Sequence, residues 1–377
     1  MHPVEQFLDI HGIDGIEMLK QEPYMLSVRE EFSENGKGVW VIDYDQIKSP
    51  RNNPLVDECR GIVVDQKTLK VICWPFRRFY NLGEFPEMEK HFDWTTALCQ
   101  GKEDGSLIKV YYFDGKWRIG TRGTAFGQNT IVNLVGEESN ITFEKLFLRA
   151  AGISEREFNQ SMNSYFDKTT NAFFELCTPE NKVVTRYEND VVFIHGLRRI
   201  TSPDFVHPVD DFMGKYLIPK WCRGPVHYDV GSFEDALKTA AELPDLKEGY
   251  VLIDANGFRI KVKSPLYVVA HHTRGNGMTP KRAVDLVLMN EYHEFISYFN
   301  ETEEYIMKYV QAYNDILVGS ACTFEEFSHL ESQKDFALAV KHLPYAGILF
   351  SMRKGLTNIE AFNNISLNGK YKLLGAE

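Results

Sequence analysis

Along the first 270 residues the apolar positions come in short bursts. "GVWVIDY" (38–44), "GIVVDQ" (61–66), "SLIKVYYF" (106–113), "KWRIGTR" (116–122), "NAFFELC" (171–177), "DVVFIHGLRRI" (190–200), "GYVLIDANG" (249–257) and "FRIKVKS" (258–264) are rich in β-branched and aromatic residues. Gly, Asp and Asn separate them, which is the composition of strands joined by turns. "TFEKLFLRAAG" (142–152) and "SFEDALKTAAEL" (232–243) instead repeat apolar residues at three and four positions and predict helices. With a short helical start, this part of the chain predicts a mainly antiparallel α+β body.

The pattern changes after "HHTRGNG" (271–277), where two glycines and the following Thr279-Pro280 mark a linker and a helix start. Beyond it "RAVDLVLMNEYHEFISYF" (282–299), "ETEEYIMKYVQAYNDIL" (301–317), "TFEEFSHLE" (323–331) and "KDFALAVKHL" (334–343) read as amphipathic helices. The expected division is a body over 1–276 and an all-helical domain over 277–377. A length of 377 residues agrees with two domains, since one hydrophobic core seldom grows that far.

Hydrophobic content of 44% with 25% charged residues is that of a globular protein, and no apolar run is long enough to span a bilayer. The opening "MHPVEQFLDIHGIDGIEMLK" has early acids and no cationic segment leading into an apolar one, so it does not read as a signal or transit peptide, and the expected location is the cytoplasm. Six cysteines without close pairing fit neither a disulfide framework nor a zinc site and read as reduced thiols. A formal charge of −11 argues against non-specific coating of nucleic acid, which needs a net basic surface, but leaves room for a local basic cleft.

Chemistry concentrates in a few short stretches. "GKEDGSL" (101–107) sets Lys102 two residues ahead of an Asp-Gly turn signal, either as a solvated charge at a hairpin mouth or as an amine held for covalent chemistry. In "FRIKVKS" strand alternation puts Lys261 and Lys263 on one face and Ile260 and Val262 on the other. Such a pair is either the solvated face of an edge strand or a phosphate clamp. Glu175 in "FFEL" faces opposite from its apolar neighbours, and Glu248 in "KEGYVL" stands at a strand entrance. "GTRGTAFG" is glycine-rich but lacks the Gly-Lys-Ser/Thr ending of a phosphate-binding P-loop.

In their order, K-x-D-G, a glutamate on an apolar strand, E-G-Y-V and K-x-K resemble the covalent nucleotidyltransferase superfamily of ligases and capping enzymes. The details look most like the phage-type RNA ligase 1 family. "KEDGSL" is similar to its nucleophile motif, and "DECRGIVV" (57–64) with "WPFRRFYNLGE" (74–84) to its amino-terminal region; the likeness covers about residues 55 to 270. Two positions depart from it. Arg78 stands where the family commonly has lysine, and Thr121-Arg122-Gly123 where relatives have serine-lysine-glycine.

The resemblance implies a nucleotidyltransferase fold and an enzyme that joins a 5′-phosphate end of RNA to a 3′-hydroxyl with ATP and Mg²⁺, through lysyl-AMP and RNA-adenylate intermediates. RNA repair, tRNA included, is the task it suggests. It makes Lys102 the nucleophile, with Gly101 beside it in the nucleotide site, and Lys261 and Lys263 the cations that stabilise charge on the α-phosphate. Glu175 and Glu248 become candidates for holding Mg²⁺, Glu175 alternatively for the ribose hydroxyls, while Asp104 shapes the turn. Arg60 and Arg78 become candidates for gripping pyrophosphate or the RNA phosphate. A DNA ligase or GTP-using capping enzyme is the nearest alternative, disfavoured because an OB barrel usually follows the lysine-bearing domain there. A non-catalytic RNA-binding relative is the other. The helical domain, with Lys334, Lys341, Arg353 and Lys354 on polar faces, is expected to select RNA ends. The oligomeric state stays open, with a monomer as the default, and no membrane partner is expected.

Overall fold

The structure, a computed structural model, describes residues 1–132, 138–181, 184–185, 187–201, 206–208, 218–244, 247–272, 278–298 and 302–376. The chain gathers into two compact units, residues 1–45 with 49–271 and residues 46–48 with 272–377. The boundary expected near residue 276 falls outside the described residues.

In the first unit β1 (Leu26–Phe32), β2 (Gly38–Tyr44), β3 (Arg60–Asp65) and β4 (Val71–Cys73) form a sheet in sequence order. The run 39–42 of β2 is apolar at every position because both its faces are covered. Trp40 and Ile42 pack with Val4 and Leu8 of the helix Pro3–His11, while Val39 and Val41 enter a second core with Val63, Tyr111 and Phe173.

β5 (Tyr80–Asn81) and β6 (Leu98–Lys102) start a second sheet, and β7 (Ser106–Phe113) and β8 (Lys116–Thr121) a third. β9 (Thr130–Val132) and β10 (Glu138–Thr142) pair with each other. β11 (Thr170–Cys177), β12 (Val191–Arg199) and β13 (Val206–Pro208) complete the third sheet in the order β13-β12-β11-β7-β8. β14 (His227–Tyr228), β15 (Gly249–Ile253) and β16 (Arg259–Lys263) complete the second in the order β14-β6-β15-β16-β5. Among the described strands every sheet pairing is antiparallel except β16 with β5.

One face of each large sheet is sealed by helices. The helices Phe143–Ala151 and Glu155–Tyr165 lay Phe147 and Phe158 on Ile108, Phe174 and Ile194, and burying each such ring contributes about 1.5–3 kcal/mol. Ser154 and Glu157 cap the second of these helices reciprocally. On the second sheet the helix Phe233–Ala241 sets Ala236 and Ala240 against Tyr250, Leu252, Ile260 and Val262. The opposite faces of both sheets carry the polar residues of interest.

The helical tail differs from its pattern in two places. Asn290, at φ 56°, ends the helix Pro280–Met289 before Tyr292–Tyr298 begins, as asparagine tolerates the left-handed region. The stretches 301–317 and 323–331 merge into one helix, Glu303–Phe327. The connecting Val-Gly-Ser-Ala-Cys has no proline, and a single helical glycine costs only about 1 kcal/mol. Phe336, Val340 and Leu349 are buried at the centre of a core in this unit. No described helix is long and apolar enough to cross a membrane, and all six cysteines are free thiols.

Candidate active site

Lys102 is the last residue of β6. The antiparallel register sets it opposite Gly249 of β15, which stands opposite Lys263 of β16. Side chains directly opposed across a sheet share a face, so the two lysines flank a position that has no side chain. Gly249 has φ 140°, and a Cβ there would lie 2.1 Å from the Val262 carbonyl oxygen and 2.6 Å from the Lys263 Cα, so only glycine fits. Gln100, Val251 and Lys261 form the next row on that face, and Leu98, Ile253 and Arg259 the one after. β16 is an inner strand and Lys263 is 9% exposed, so the lysine pair is not a solvated edge. Gly101 is turned the other way: its neighbour across the sheet is Tyr250, and its N–H is spent on the Val226 carbonyl, so strand alternation removes it from the lysine face.

Glu248 precedes the glycine and completes the row. Its Oε1 is 2.6 Å from the Lys102 Nζ, and its side chain is 7% exposed. Burial raises its pKa against the pull of Lys102 and Lys263. The Lys-Glu-Asp-Gly stretch closes no hairpin, because β6 and β7 belong to different sheets and Glu103-Asp104-Gly105 carries the chain from one to the other. Asp104 holds this crossing in place: its carboxylate accepts the Val184 and Thr185 N–H groups at 2.7 and 2.6 Å and the Tyr267 hydroxyl at 2.8 Å.

Glu175 belongs to the other large sheet. Its Oε2 lies 3.1 Å from the His195 Nε2. Phe173 pairs with Gly196 and Phe174 with Ile194, which leaves His195 as the extra residue of a bulge in β12. Bulges re-aim a side chain in this way next to active sites. No contact among the described residues joins Glu175 to Glu248, and no three of their His, Cys, Asp and Glu side chains form a metal cluster. Mg²⁺ needs no protein-only cage, since it is usually held by one or two carboxylates with water and phosphate, and a buried carboxylate such as Glu248 suits that mode.

The arginines sit on aromatic rings. The Arg60 guanidinium lies 5.0 Å from the centroid of Phe79, and the Lys261 ammonium 5.3 Å from the same ring. Arg78, only 3% exposed, lies over Tyr44 at 4.1 Å and Tyr80 at 5.4 Å. Neither Arg60 nor Arg78 forms an ion pair with a described carboxylate. Arg122 does: it binds both oxygens of Asp43 at 2.8 and 3.0 Å, with its guanidinium 4.3 Å from Tyr44.

Sequence reasoning passed over Lys109, which is fully buried in β7 between Leu107 and Tyr111 on its face. Its Nζ donates to the Gly61 carbonyl at 2.6 Å and lies 3.5 Å from the Arg122 carbonyl. It thereby ties the backbone beside Arg60 to that of Arg122. Burial draws its pKa from 10.5 down to about 8. Between those values the unfolded chain holds this proton and the folded chain does not, so stability rises with pH across the window. Relative to Lys109→Met, the wild type should gain on the order of 3 kcal/mol between about pH 8 and 10.5, read by urea unfolding at both ends. A difference independent of pH would mean that the lysine titrates as an exposed one.

The sequence profile of the RNA ligase family of the phage T4 RNA ligase 1 type matches residues 58–267. The chain belongs to that family. Among its relatives is a protein of Autographa californica nuclear polyhedrosis virus that bears the name of a bifunctional polynucleotide kinase/RNA ligase; it is 30% identical over 84% of this chain and 45% of its own length. The RNA ligase of Rhodothermus phage RM378 is 24% identical over 68% of this chain and 69% of its own. This chain thus spans less than half the length of the baculovirus relative. Among solved structures, an archaeal ATP-dependent RNA ligase aligns over 84% of this chain and 83% of its own at 14% identity and a TM-score of 0.48, a likeness too loose to carry an argument. The family match encloses Arg60, Arg78, Lys102, Glu175, Glu248, Lys261 and Lys263 alike.

Proposed function

We propose that this chain is an ATP-dependent RNA ligase that joins 5′-phosphate to 3′-hydroxyl ends in RNA repair. The observation that carries the reading is the row Lys102, Gly249, Lys263, with the Glu248 carboxylate 2.6 Å from the Lys102 Nζ. An amine that must attack phosphorus first has to lose its proton. Glu248, drawn toward its protonated form by burial, is placed to take it. The Lys102 nitrogen then bonds to the α-phosphorus of ATP as the bond to pyrophosphate breaks and its electron pair leaves with pyrophosphate. Lys263 and Lys261 stabilise the charge that develops on the phosphoryl oxygens. The AMP next passes to the RNA 5′-phosphate, and the 3′-hydroxyl finally displaces it. Bound Mg²⁺ would neutralise phosphate charge here, with Glu175, or Glu248 once it has passed the proton on, as the carboxylate to hold it. Mass spectrometry of the protein after ATP and Mg²⁺ tests the reading. An AMP adduct on Lys102 is expected, and an adduct on another lysine, or none, rejects it.

In this reading residues 277–377 choose which RNA ends are joined and leave bond making to the body, because every residue of the lysine row lies in the first unit. A chain ended after Gly277 should still form the lysyl-adenylate but lose its preference between linear RNA and broken stem-loops. A folded truncation that cannot adenylate itself would put the helices inside the catalytic unit.

A further inference from the structure

His195 takes no part in the reaction derived above, yet it is the hydrogen-bond partner that Glu175 has among the described residues, with Nε2 3.1 Å from Oε2. Both side chains are mostly buried. The bulge brings them together. In an unbroken ladder His195 would stand opposite Phe173, but the extra residue gives that place to Gly196 and turns the imidazole toward the carboxylate. An ionised carboxylate only accepts, so Nε2 carries the proton, and the contact occupies one of the two oxygens and leaves Oε1. The electrostatic neighbours of Glu175 say where Oε1 is used. Glu103, the residue after the nucleophile, is acted on by both His195 and Glu175, and Arg60 is acted on by Glu175. Arg60 in turn shares the Phe79 ring with Lys261. Glu175 therefore stands beside the residues that handle the nucleotide, although its own strand belongs to a different sheet from Lys102.

We propose that His195 is a positioning residue for nucleotide binding, which donates to Oε2 of Glu175 and so presents Oε1 to a ribose hydroxyl or to the Mg²⁺ of ATP. The role rests on the nucleotidyl-transfer reading given above and assigns His195 no step of the chemistry. A glutamate held by nothing must give up its side-chain freedom each time the nucleotide binds. One already fixed by the imidazole binds without that loss. A hydrogen-bonded neighbour that orients a ligating carboxylate acts in the same way when the ligand is a metal ion.

The test uses the full chain and the α,β-methylene analogue of ATP, which cannot give up its AMP, with binding followed by calorimetry. His195→Leu should bind the analogue about tenfold more weakly, and His195→Gln, whose amide nitrogen can stand where Nε2 stood, should restore most of the loss. Self-adenylation by the leucine variant should need correspondingly more ATP but keep its rate at saturation, since the contact serves binding and not the transition state. Repeating it with 2′-deoxy-ATP says what Oε1 meets. A defect seen with ATP alone points to the ribose, one shared by both nucleotides and relieved by more Mg²⁺ points to the ion, and both support the proposal. Wild-type affinity in His195→Leu, or equal weakening in folded leucine and glutamine variants, overturns it. If His195→Leu does not fold, His195→Asn, whose amide nitrogen falls short of Glu175, takes its place in the same comparison with the same outcomes. A wild-type chain that forms no lysyl-adenylate would reject the parent reading, whereas an adenylating wild type with an indifferent His195 variant rejects the positioning role alone.

Discussion

Lys102→Ala protein mixed with ATP and Mg²⁺ is expected to carry no AMP, yet to join RNA that already bears a 5′-adenylate. In the proposed reaction only the first two transfers pass through the lysine nitrogen; the third needs the RNA-adenylate, the 3′-hydroxyl and the surrounding cations. The side chain removed is partly exposed and ends in one ion pair to Glu248, so the fold should survive its loss. Labelled ATP measures the first activity and gel electrophoresis of pre-adenylated RNA the second. Loss of both would show that Lys102 supports the fold or the RNA and not a covalent intermediate.

Gly249→Ala should lower self-adenylation by at least about two orders of magnitude, as much as Lys263→Ala, although glycine brings no functional group. Removing one donor that stabilises developing charge costs about that much. The methyl group would meet backbone, the Val262 carbonyl and the Lys263 Cα, where no side chain can swing aside. β15 and β16 would have to part locally, and Glu248 and Lys263 lie at that point. Adenylation rates beside a melting curve separate the site effect from general loss of fold. A variant with wild-type rate would mean that the lysine row tolerates a shift of the strand, contrary to the role given it.

The candidate site residues were legible because they follow one another in the order of a known family's motifs. Spacing alone left Lys261 and Lys263 open between a solvated edge and a phosphate clamp, and the likeness to a known family singled them out with Lys102 and Glu248; the structure sets Lys102, Lys263 and Glu248 together. The supporting residues were not legible. Lys109 in "SLIKVYYF" looks like any charge on a half-exposed strand, and only the third dimension shows carbonyl oxygens of β3 and of the Arg122 turn around its ammonium. His195 is re-aimed by a bulge, which no periodicity announces. β6 itself escaped notice because "LCQGK" has little strand character and is held by pairing on both sides, with β14 and β15.

The crossing at Glu103-Asp104-Gly105 sets the two large sheets as two plates with one short tie between them. Lys102, Glu248, Lys261 and Lys263 belong to one plate, Glu175 and His195 to the other, and three residues make the tie. Asp104, gripped by two backbone N–H groups and the Tyr267 hydroxyl, fixes that tie. The spacing within the lysine row is therefore set by the ladder of one sheet, whereas the gap between Lys102 and Glu175 is set by the crossing that Asp104 holds.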